Sequence, residues 1–320
     1  MRISNNMMTN NYLYSLNNAL ERQTKIQEQL ADGKAIHRPS DDPIKAIRAL
    51  RFNSNLGMNE QYTQNVKDAT SWMETTDGAL QDISSITIRA KELVIQAIAP
   101  NTSDGFEAIG KEIDGIISQL VQVGNTKLGD RYVFAGQKDK TEPFQVIKDA
   151  TSGLVARVVY QGDANKISMP LQPGLADPSK DSVNLTGTEL FGPVVTLPPG
   201  DPNAGDSITF LNDLITIRDQ LLTGNPDLSY LSNTGLANVD AGRDKALRSH
   251  TTLGARMATY EMTQSLLEGQ NIIITGDVAN NEDIDVSRTL IDFTTSENVY
   301  KAALAIGARI MPPSLVDFLR

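Results

Sequence analysis

The sequence predicts a mainly α-helical protein that carries a β-rich insertion. Three observations point to this class: long apolar repeats in alternating steps of three and four residues, a central stretch rich in Pro, Gly and β-branched residues, and a weaker apolar repeat near each end. Aromatic residues make up 5% of the 320 residues, which is little for one large globular core. We therefore expect a long antiparallel helical rod.

The strongest repeats predict two helices joined by a short turn. One repeat extends from Val66 to Ala97, and a helix over the range Pro43 to Ile98 would be about 80 Å long. Turn-forming residues interrupt the pattern from Ala99 to Gly105, and a second repeat extends from Phe106 to Val123. Two such repeats predict an antiparallel helical hairpin.

The middle of the chain has a different character. Residues Lys138 to Asp206 combine β-branched runs with dense Pro and Gly, including the stretch LPPGDPNAGD. This composition predicts a small β-rich insertion with long loops. Helical spacing of apolar residues resumes from Phe210 to Leu221 and again from Ala246 to Ile274.

Each end of the chain carries a helical repeat that polar residues interrupt. The N-terminal repeat includes Gln23 and Gln27, and the C-terminal repeat includes Glu297 and Gly307 and continues to Met311. Burying a Leu side chain contributes about 2 kcal/mol and burying a Gln contributes little, so both helices should be marginal in an isolated molecule. We call the apolar positions expected to gain partners in assembly the assembly seam: Leu13, Leu16, Leu20, Leu30, Leu290, Phe293, Tyr300 and Leu304.

The stretch HRPSDDP, from His37 to Pro43, predicts a joint between two helices. A Gly at position 33 suits the left-handed end of a helix, and a Pro prevents that helix from continuing. Ser or Asp can then cap the next helix, whose first position suits Pro. We assign to an inter-domain joint the residues Gly33, Arg38, Pro39, Ser40, Asp41, Asp42 and Pro43. A second joint, solvated and helix-capping, is expected at Asn280 to Asp285.

Composition gives little support to catalysis or ligand binding. Cysteine is absent, and the two histidines are far apart in sequence; His250 lies on an apolar repeat, where a hydrogen-bonded core residue is expected. The stretch GFEAIGKE, from Gly105 to Glu112, lacks the Ser or Thr of a phosphate-binding loop and does not follow a strand. Asp41 and Asp42 with His37 lack the spacing of a metal-binding loop. We expect no catalytic residue, no cofactor and no metal.

Charge and hydropathy exclude further partners. A net charge of −10 argues against nucleic acid, because Lys and Arg are what neutralise phosphates. No apolar run approaches the roughly 18 residues of a membrane span, so no membrane partner is expected. The N-terminal MRISNNMMTNNYLYSLNN scatters six Asn where a signal peptide is apolar, and we expect no cleaved signal peptide.

Several stretches resemble the flagellin family. They are MRISNNMM at the N-terminus, LADGKAIHRPSDDP, GDRYVFAG, LGARM and the closing SLVDFLR. The resemblance implies a flagellin-like fold with paired N- and C-terminal helices, and export by the flagellar type III system to an extracellular flagellum. It also implies three domains: an inner domain of residues 1–38 and 283–320, a middle helical bundle of 39–137 and 207–282, and an outer β-rich domain of 138–206.

Two departures favour a subunit that joins hook to filament over a filament-forming flagellin. The chain closes on MPPSLVDFLR in place of a Gln-rich helix and a Leu-Leu pair, and its start, SNNMM, differs from the usual flagellin start. The resemblance then implies a ring of about eleven copies of the chain between hook-associated protein 1 and flagellin. It also implies an export chaperone that binds Leu290 to Arg320.

Three alternatives remain open from the sequence. The first is flagellin itself, which polymerises into the filament. The second is an enzyme that uses Lys111 of the stretch GFEAIGKE to bind a nucleotide. The third is a secreted adhesin that acts through Lys138 to Asp206.

Overall fold

The computed structural model describes residues 5–149, 152–171, 182–197 and 205–310. Its helices are α1 (Asn5–Asp32), α2 (Pro43–Ile98), α3 (Ser103–Gly124), α4 (Gly187–Phe191), α5 (Thr209–Leu222), α6 (Leu228–Tyr230), α7 (Leu236–Glu282) and α8 (Val286–Ile310). A π-helical turn, Leu231–Gly235, connects α6 to α7. The strands are β1 (Lys127–Leu128), β2 (Arg131–Tyr132), β3 (Phe144–Lys148), β4 (Val155–Tyr160), β5 (Val194–Leu197) and β6 (Gly205–Ile208). Consecutive strands pair as antiparallel hairpins, so the predicted class, mainly α with a β-rich insertion, is confirmed.

The chain forms two compact units. Residues 1–59 and 269–320 make up one, here called the terminal unit, and residues 60–268 make up the other, the middle unit. The described β-hairpins belong to the middle unit, together with α3, α5 and the parts of α2 and α7 that lie within residues 60–268. The finer division into inner, middle and outer domains stays a prediction.

Helices α2 and α3 follow the apolar repeats that predict them. The α2 positions on the repeat from Val66 to Ala97 are buried, including Thr76 and Thr87. These two hydroxyls donate to carbonyl oxygens of the preceding turn, at 2.8 and 2.9 Å, which satisfies them inside an apolar core. Across the two helices, the Arg89 guanidinium pairs with the Glu112 carboxylate at 2.6 Å. Each of these residues lies the same distance from the connecting turn, as an antiparallel hairpin requires.

The core of the middle unit is one apolar cluster drawn from α2, α3, α5, α7 and the hairpins. Aromatic rings join the hairpins to the helices: Phe144 lies 5.3 Å from Tyr160 and 5.3 Å from Phe191, and Phe191 stacks on Phe210 at 6.1 Å. A Cβ at Gly242 of α7 would lie 2.0 Å from the Phe210 ring, so this close approach requires glycine.

One buried cation ties three elements of the middle unit together. Arg218 of α5 is 2% exposed and donates to the Asp114 carboxylate of α3 at 2.5 Å. The same guanidinium donates to the Val155 carbonyl of β4 at 2.6 Å and to the Asp219 carboxylate at 2.6 Å. A buried charge with this many partners is tolerated because its donors are satisfied.

Candidate assembly surface

The terminal unit is built around two paired helices. Helices α1 and α8 pack against each other, and the Tyr12 hydroxyl of α1 donates to the Ala303 carbonyl of α8 at 2.9 Å. Gly307 of α8 is buried beneath this tyrosine, and a Cβ there would lie 2.0 Å from the Tyr12 hydroxyl oxygen. The glycine that interrupts the C-terminal apolar repeat is therefore what lets α8 approach α1.

The predicted assembly seam is divided by this pairing. Its half-buried members in the terminal unit are Leu16, Leu30, Phe293 and Tyr300. Its exposed members are Leu13, Leu20, Leu290 and Leu304, with exposed fractions of 40, 45, 53 and 45%. The role of these side chains in assembly stays a prediction.

The terminal unit buries no large apolar side chain among its described residues. Every buried apolar residue of the described chain lies between Val66 and Leu267, in the middle unit. Apolar side chains of the terminal unit instead face solvent on α1, α2, α7 and α8, with Leu50 at 72% and Ile272 at 74% exposed. Exposed apolar side chains of this size are available to contact another molecule.

The joint between α1 and α2 is built as a helix stop followed by a helix start. Gly33 has φ +76°, a left-handed conformation that suits glycine after a helix. Helix α2 begins at Pro43, and the Asp42 carboxylate accepts from the backbone N–H groups of Ile44 and Lys45 at 3.1 and 3.0 Å. Among Ser40, Asp41 and Asp42, each of a type that can cap a helix, Asp42 is the residue that caps α2.

Neighbouring carboxylates stabilise the loop of this joint. Asp41 accepts from the Lys25 ammonium at 2.8 Å and from the Arg38 N–H at 3.1 Å, and these bonds lower the pKa of its carboxyl group. Asp32 accepts from the Lys34 N–H at 3.0 Å and lies 2.6 Å from the His37 ring nitrogen. The Lys34 N–H first, and His37 in addition, lower the pKa of Asp32. Both carboxylates therefore accept hydrogen bonds from residues of the joint and of α1.

The two joints are hydrogen-bonded to each other. The Ala35 N–H donates to the Glu282 carbonyl at 2.6 Å, the Ile284 N–H donates to the Gly33 carbonyl at 3.0 Å, and Lys34 pairs with Asp283 as an antiparallel bridge. Backbone hydrogen bonds thus connect the N- and C-terminal segments of the terminal unit, which buries no large apolar side chain among its described residues.

Glu282 is a residue that the sequence did not single out. Its side chain accepts from the Lys34 ammonium at 3.1 Å and from the Asn53 amide at 2.7 Å, and the residue is 6% exposed. The expectation of a solvated second joint is wrong at this position, because Glu282 is buried among these partners. Asp285 does cap α8, accepting from the Arg288 N–H at 3.1 Å.

The stretches considered as catalytic or binding sites instead make packing contacts, ion pairs or hydrogen bonds within the fold. Gly105 to Glu112 lies inside α3, where Phe106 and Ile109 are buried and Lys111 pairs with Glu107 at 2.7 Å. The His250 ring nitrogen lies 2.8 Å from the Asp77 carboxylate. Among the described residues, no group of three or more His, Cys, Asp or Glu is arranged to hold a metal ion. None of the helices in that part of the chain is both long and apolar enough to span a membrane.

Comparison with known proteins identifies relatives along the whole chain. Residues 3–139 match the family model described as the bacterial flagellin N-terminal helical region. Flagellar hook-associated protein 3 of Escherichia coli (strain K12) is 24% identical over 316 residues, 95% of each chain. The resemblance to the flagellin family is confirmed. Flagellin of Bacillus subtilis (strain 168) is also 24% identical, over the full length of both chains.

Solved structures share the flagellin-like fold. A putative flagellar hook-associated protein from Vibrio parahaemolyticus aligns with a TM-score of 0.61 at 15% identity, over 76% of this chain and all of its own. Flagellar hook-associated protein 3 from Legionella pneumophila aligns with a TM-score of 0.59 at 17% identity, over 72% of this chain and 97% of its own. On these comparisons the chain is a flagellin-like component of the bacterial flagellum, and its named relatives are structural proteins rather than enzymes.

Proposed function

We propose that the chain is a structural adaptor, the subunit that joins the flagellar hook to the flagellin filament. Copies of the chain would form a ring of about eleven subunits, contacting hook-associated protein 1 on one side and flagellin on the other. Similarity to flagellar hook-associated protein 3 over 95% of the chain supports this role. The α1–α8 pair supplies the surface on which we expect the contacts to form.

The absence of a buried apolar side chain in the described terminal unit is the observation that carries the proposal. A small helical unit without apolar burial gains too little free energy to offset the conformational entropy that ordering costs. Helices α1 and α8 would therefore gain most of their stability from neighbouring subunits. Ordering that waits for assembly also suits a chain that is exported unfolded, as the flagellar route implies.

Export and its chaperone follow from the resemblance alone. We expect the chaperone to bind Leu290 to Arg320 before export and to be released as the chain leaves the cell. Residues 311–320 lie outside the described part of the chain. The exposed side chains of Leu290 and Leu304 offer apolar surface for such a partner.

Isolated hooks offer the direct test. Purified protein is added to hooks that already carry hook-associated protein 1, and attachment is followed by electron microscopy. We expect one additional layer on the capped hooks and none on hooks that lack the cap. Failure to attach to the capped hooks would overturn the proposal.

Flagellin is the second candidate, and one observation favours it. The full-length similarity to B. subtilis flagellin equals in identity the similarity to hook-associated protein 3 of E. coli. Polymerisation on filament seeds separates the two functions. A flagellin extends the seeds into long filaments, whereas an adaptor stops after a single layer.

A further inference from the structure

The first turns of α2 carry a short basic stripe on an acidic protein. Lys45, Arg48 and Arg51 follow one another in steps of three, and the range Pro43 to Asn59 contains no acidic residue. Residues three apart lie on the same side of a helix, so the three cations form one surface. We call these three residues the basic stripe. Its charge opposes the net charge of −10 of the chain.

The basic stripe has no ionic partner within the described terminal unit. None of its three side chains lies within ion-pair distance of a described carboxylate, although Asp277 lines the same open groove of about 410 Å³. Exposed apolar residues run beside the stripe on the same helix. Ile44, Ile47 and Leu50 are 66, 61 and 72% exposed. A row of free cations beside a row of exposed apolar side chains fits an acidic and apolar partner.

The start of α8 has the complementary composition. Asp283, Asp285 and Asp292 carry negative charge there against a single cation, Arg288. Val286, Leu290 and Ile291, which lie between these acids, are 61, 53 and 64% exposed. Asp292 has no ion pair with any described residue, although Arg22 of α1 lines the same open groove. We call the residues from Asp283 to Asp292 the acidic patch.

We propose that the basic stripe of one copy docks on the acidic patch of α8 in the neighbouring copy. This inference rests on the proposed function, since it names one contact by which the adaptor copies bind each other. The contact joins two different surfaces, so each copy offers one stripe and one patch. Repetition of such a contact closes a ring when the rotation per copy completes a full turn. Charge complementarity sets the register, and the apolar rows beside the charges exclude water from the contact.

Charge exchange on capped hooks tests the docking. Arg48→Glu and Asp292→Arg each place like charges at the contact, and we expect about tenfold less attached protein for each. The variant with both changes restores an opposite-charge pair at every contact, and attachment should return to within about twofold of the unmodified protein. Lys67→Glu makes the same charge change on an exposed position of α2 outside the stripe and should leave attachment unchanged. Full attachment by Arg48→Glu, or no recovery in the double variant, would overturn the docking.

Cross-linking tests the same contact without hooks. The chain has no cysteine, so Arg48→Cys and Asp292→Cys proteins each carry a single thiol. In a concentrated, oxidised mixture we expect a disulfide between one protein of each kind, in excess over either protein alone. The opposite result, equal cross-linking in the mixture and in each separate sample, contradicts the contact.

The two experiments separate the possible failures. If the unmodified protein does not attach to capped hooks but the mixed cross-link forms, the adaptor function fails and the docking stands. If attachment succeeds and the charge variants behave like Lys67→Glu, the docking fails and the adaptor function stands. Sedimentation with phosphatidylglycerol vesicles tests a membrane as the occupant instead. Vesicle binding that Arg48→Glu abolishes, together with unchanged hook attachment, would replace the neighbouring copy by an anionic lipid surface.

Discussion

The middle unit and the terminal unit use the same kind of helix in opposite ways. In residues 60–268 the apolar repeats face inward, and side chains such as Val66, Leu120 and Leu214 are completely buried. In residues 1–59 and 269–320 the described apolar side chains lie half-buried or exposed. The middle unit therefore buries its apolar repeats within one molecule, whereas the terminal unit leaves apolar side chains exposed, and we propose that further copies cover them.

Polar bonds hold the terminal unit together where apolar burial does not. Backbone hydrogen bonds connect the first joint to the second joint. The Glu282 carboxylate also accepts hydrogen bonds from Lys34 and Asn53. Such hydrogen bonds contribute about 1 kcal/mol each, so they position the helices without making the unit strongly stable. We therefore expect substitutions in the middle unit to change mainly the free energy of unfolding, and substitutions in the terminal unit to change mainly assembly.

The largest effect on stability is expected in the middle unit. Phe144→Ala removes a ring that is 1% exposed and contacts both Tyr160 and Phe191. We expect a loss of about 3–5 kcal/mol in the free energy of unfolding, because a cavity remains in the core. Chemical denaturation monitored by circular dichroism measures it.

The matched variant for Phe144→Ala lies in the terminal unit. Leu50 is 72% exposed, and Leu50→Ala should change the free energy of unfolding by less than about 0.5 kcal/mol. Comparable losses from the two substitutions would show that the contrast between the units is not one of burial.

The converse effect is expected on assembly. Leu16→Asp places a charge on the half-buried face of α1 and should abolish attachment to capped hooks. The thermal transition of the middle unit should stay unchanged, because Leu16 contributes nothing to its core. Ser15→Asp, on the neighbouring exposed position, adds the same charge and should attach normally. Normal motility with Leu16→Asp would remove this residue from the assembly seam.

A smaller effect tests the pairing of α1 with α8. Gly307→Ala places a Cβ 2.0 Å from the Tyr12 hydroxyl oxygen, which should weaken the pairing by about 1–3 kcal/mol. Faster amide hydrogen exchange in α8 would report the loss, and Tyr12→Leu in the same chain should reverse part of it. Gly269→Ala adds a Cβ into open space on α7 and should be neutral or slightly stabilising. Equal exchange in both glycine variants would argue against a tight α1–α8 contact.

Most of the fold could be predicted because its helices carry strong apolar periods. The repeat from Val66 to Ala97 identified the buried face of α2. The turn-forming residues around Gly33 and Ala99 indicated where α1 and α2 end. The terminal contacts could not be predicted in the same way, because they depend on the shape of single residues. Gly307 has a low helix propensity, and it allows close helix packing only because Tyr12 lies opposite it.

Buried polar groups were the other feature beyond the reach of the sequence. Glu282 lies in a run of polar residues that indicates solvent exposure, and its burial depends on Lys34 and Asn53, more than 200 positions away in the chain. Arg218 is likewise buried because Asp114 and the Val155 carbonyl meet it from other elements. Long-range pairing of this kind leaves no local periodicity.

The last and smallest expected effect concerns carboxyl groups, whose pKa values fall where hydrogen bonds stabilise the carboxylate and rise where burial opposes its charge. Hydrogen bonds lower the pKa of Asp32 and Asp41 in the terminal unit, with the Lys34 N–H and the Lys25 ammonium as their largest causes. In the middle unit, burial raises the pKa of Asp213 on α5 to about 6, against partial compensation by Lys245 and an Asn238 hydrogen bond. Asp213 therefore favours the protonated form in the folded state.

The pH dependence of Asp213 follows from this sign. Its ordinary pKa is 3.8, so the folded state binds a proton more tightly than the unfolded state between pH 3.8 and about 6. The destabilising effect of the ionised carboxylate is absent below pH 3.8 and fully present above pH 6. Asp213→Asn should therefore stabilise the middle unit at pH 8 and have no such effect at pH 3.5. Because the side chain is partly exposed to solvent, we expect a gain of about 1 kcal/mol.

Thermal unfolding at both pH values measures this gain. Asp82→Asn, an exposed position on α2, serves as the matched control and should show little change at either pH. A gain at pH 8 confined to Asp213→Asn would place the ionised carboxylate among the groups that oppose folding of the middle unit. Equal behaviour of the two variants would mean that water reaches Asp213 as freely as it reaches Asp82.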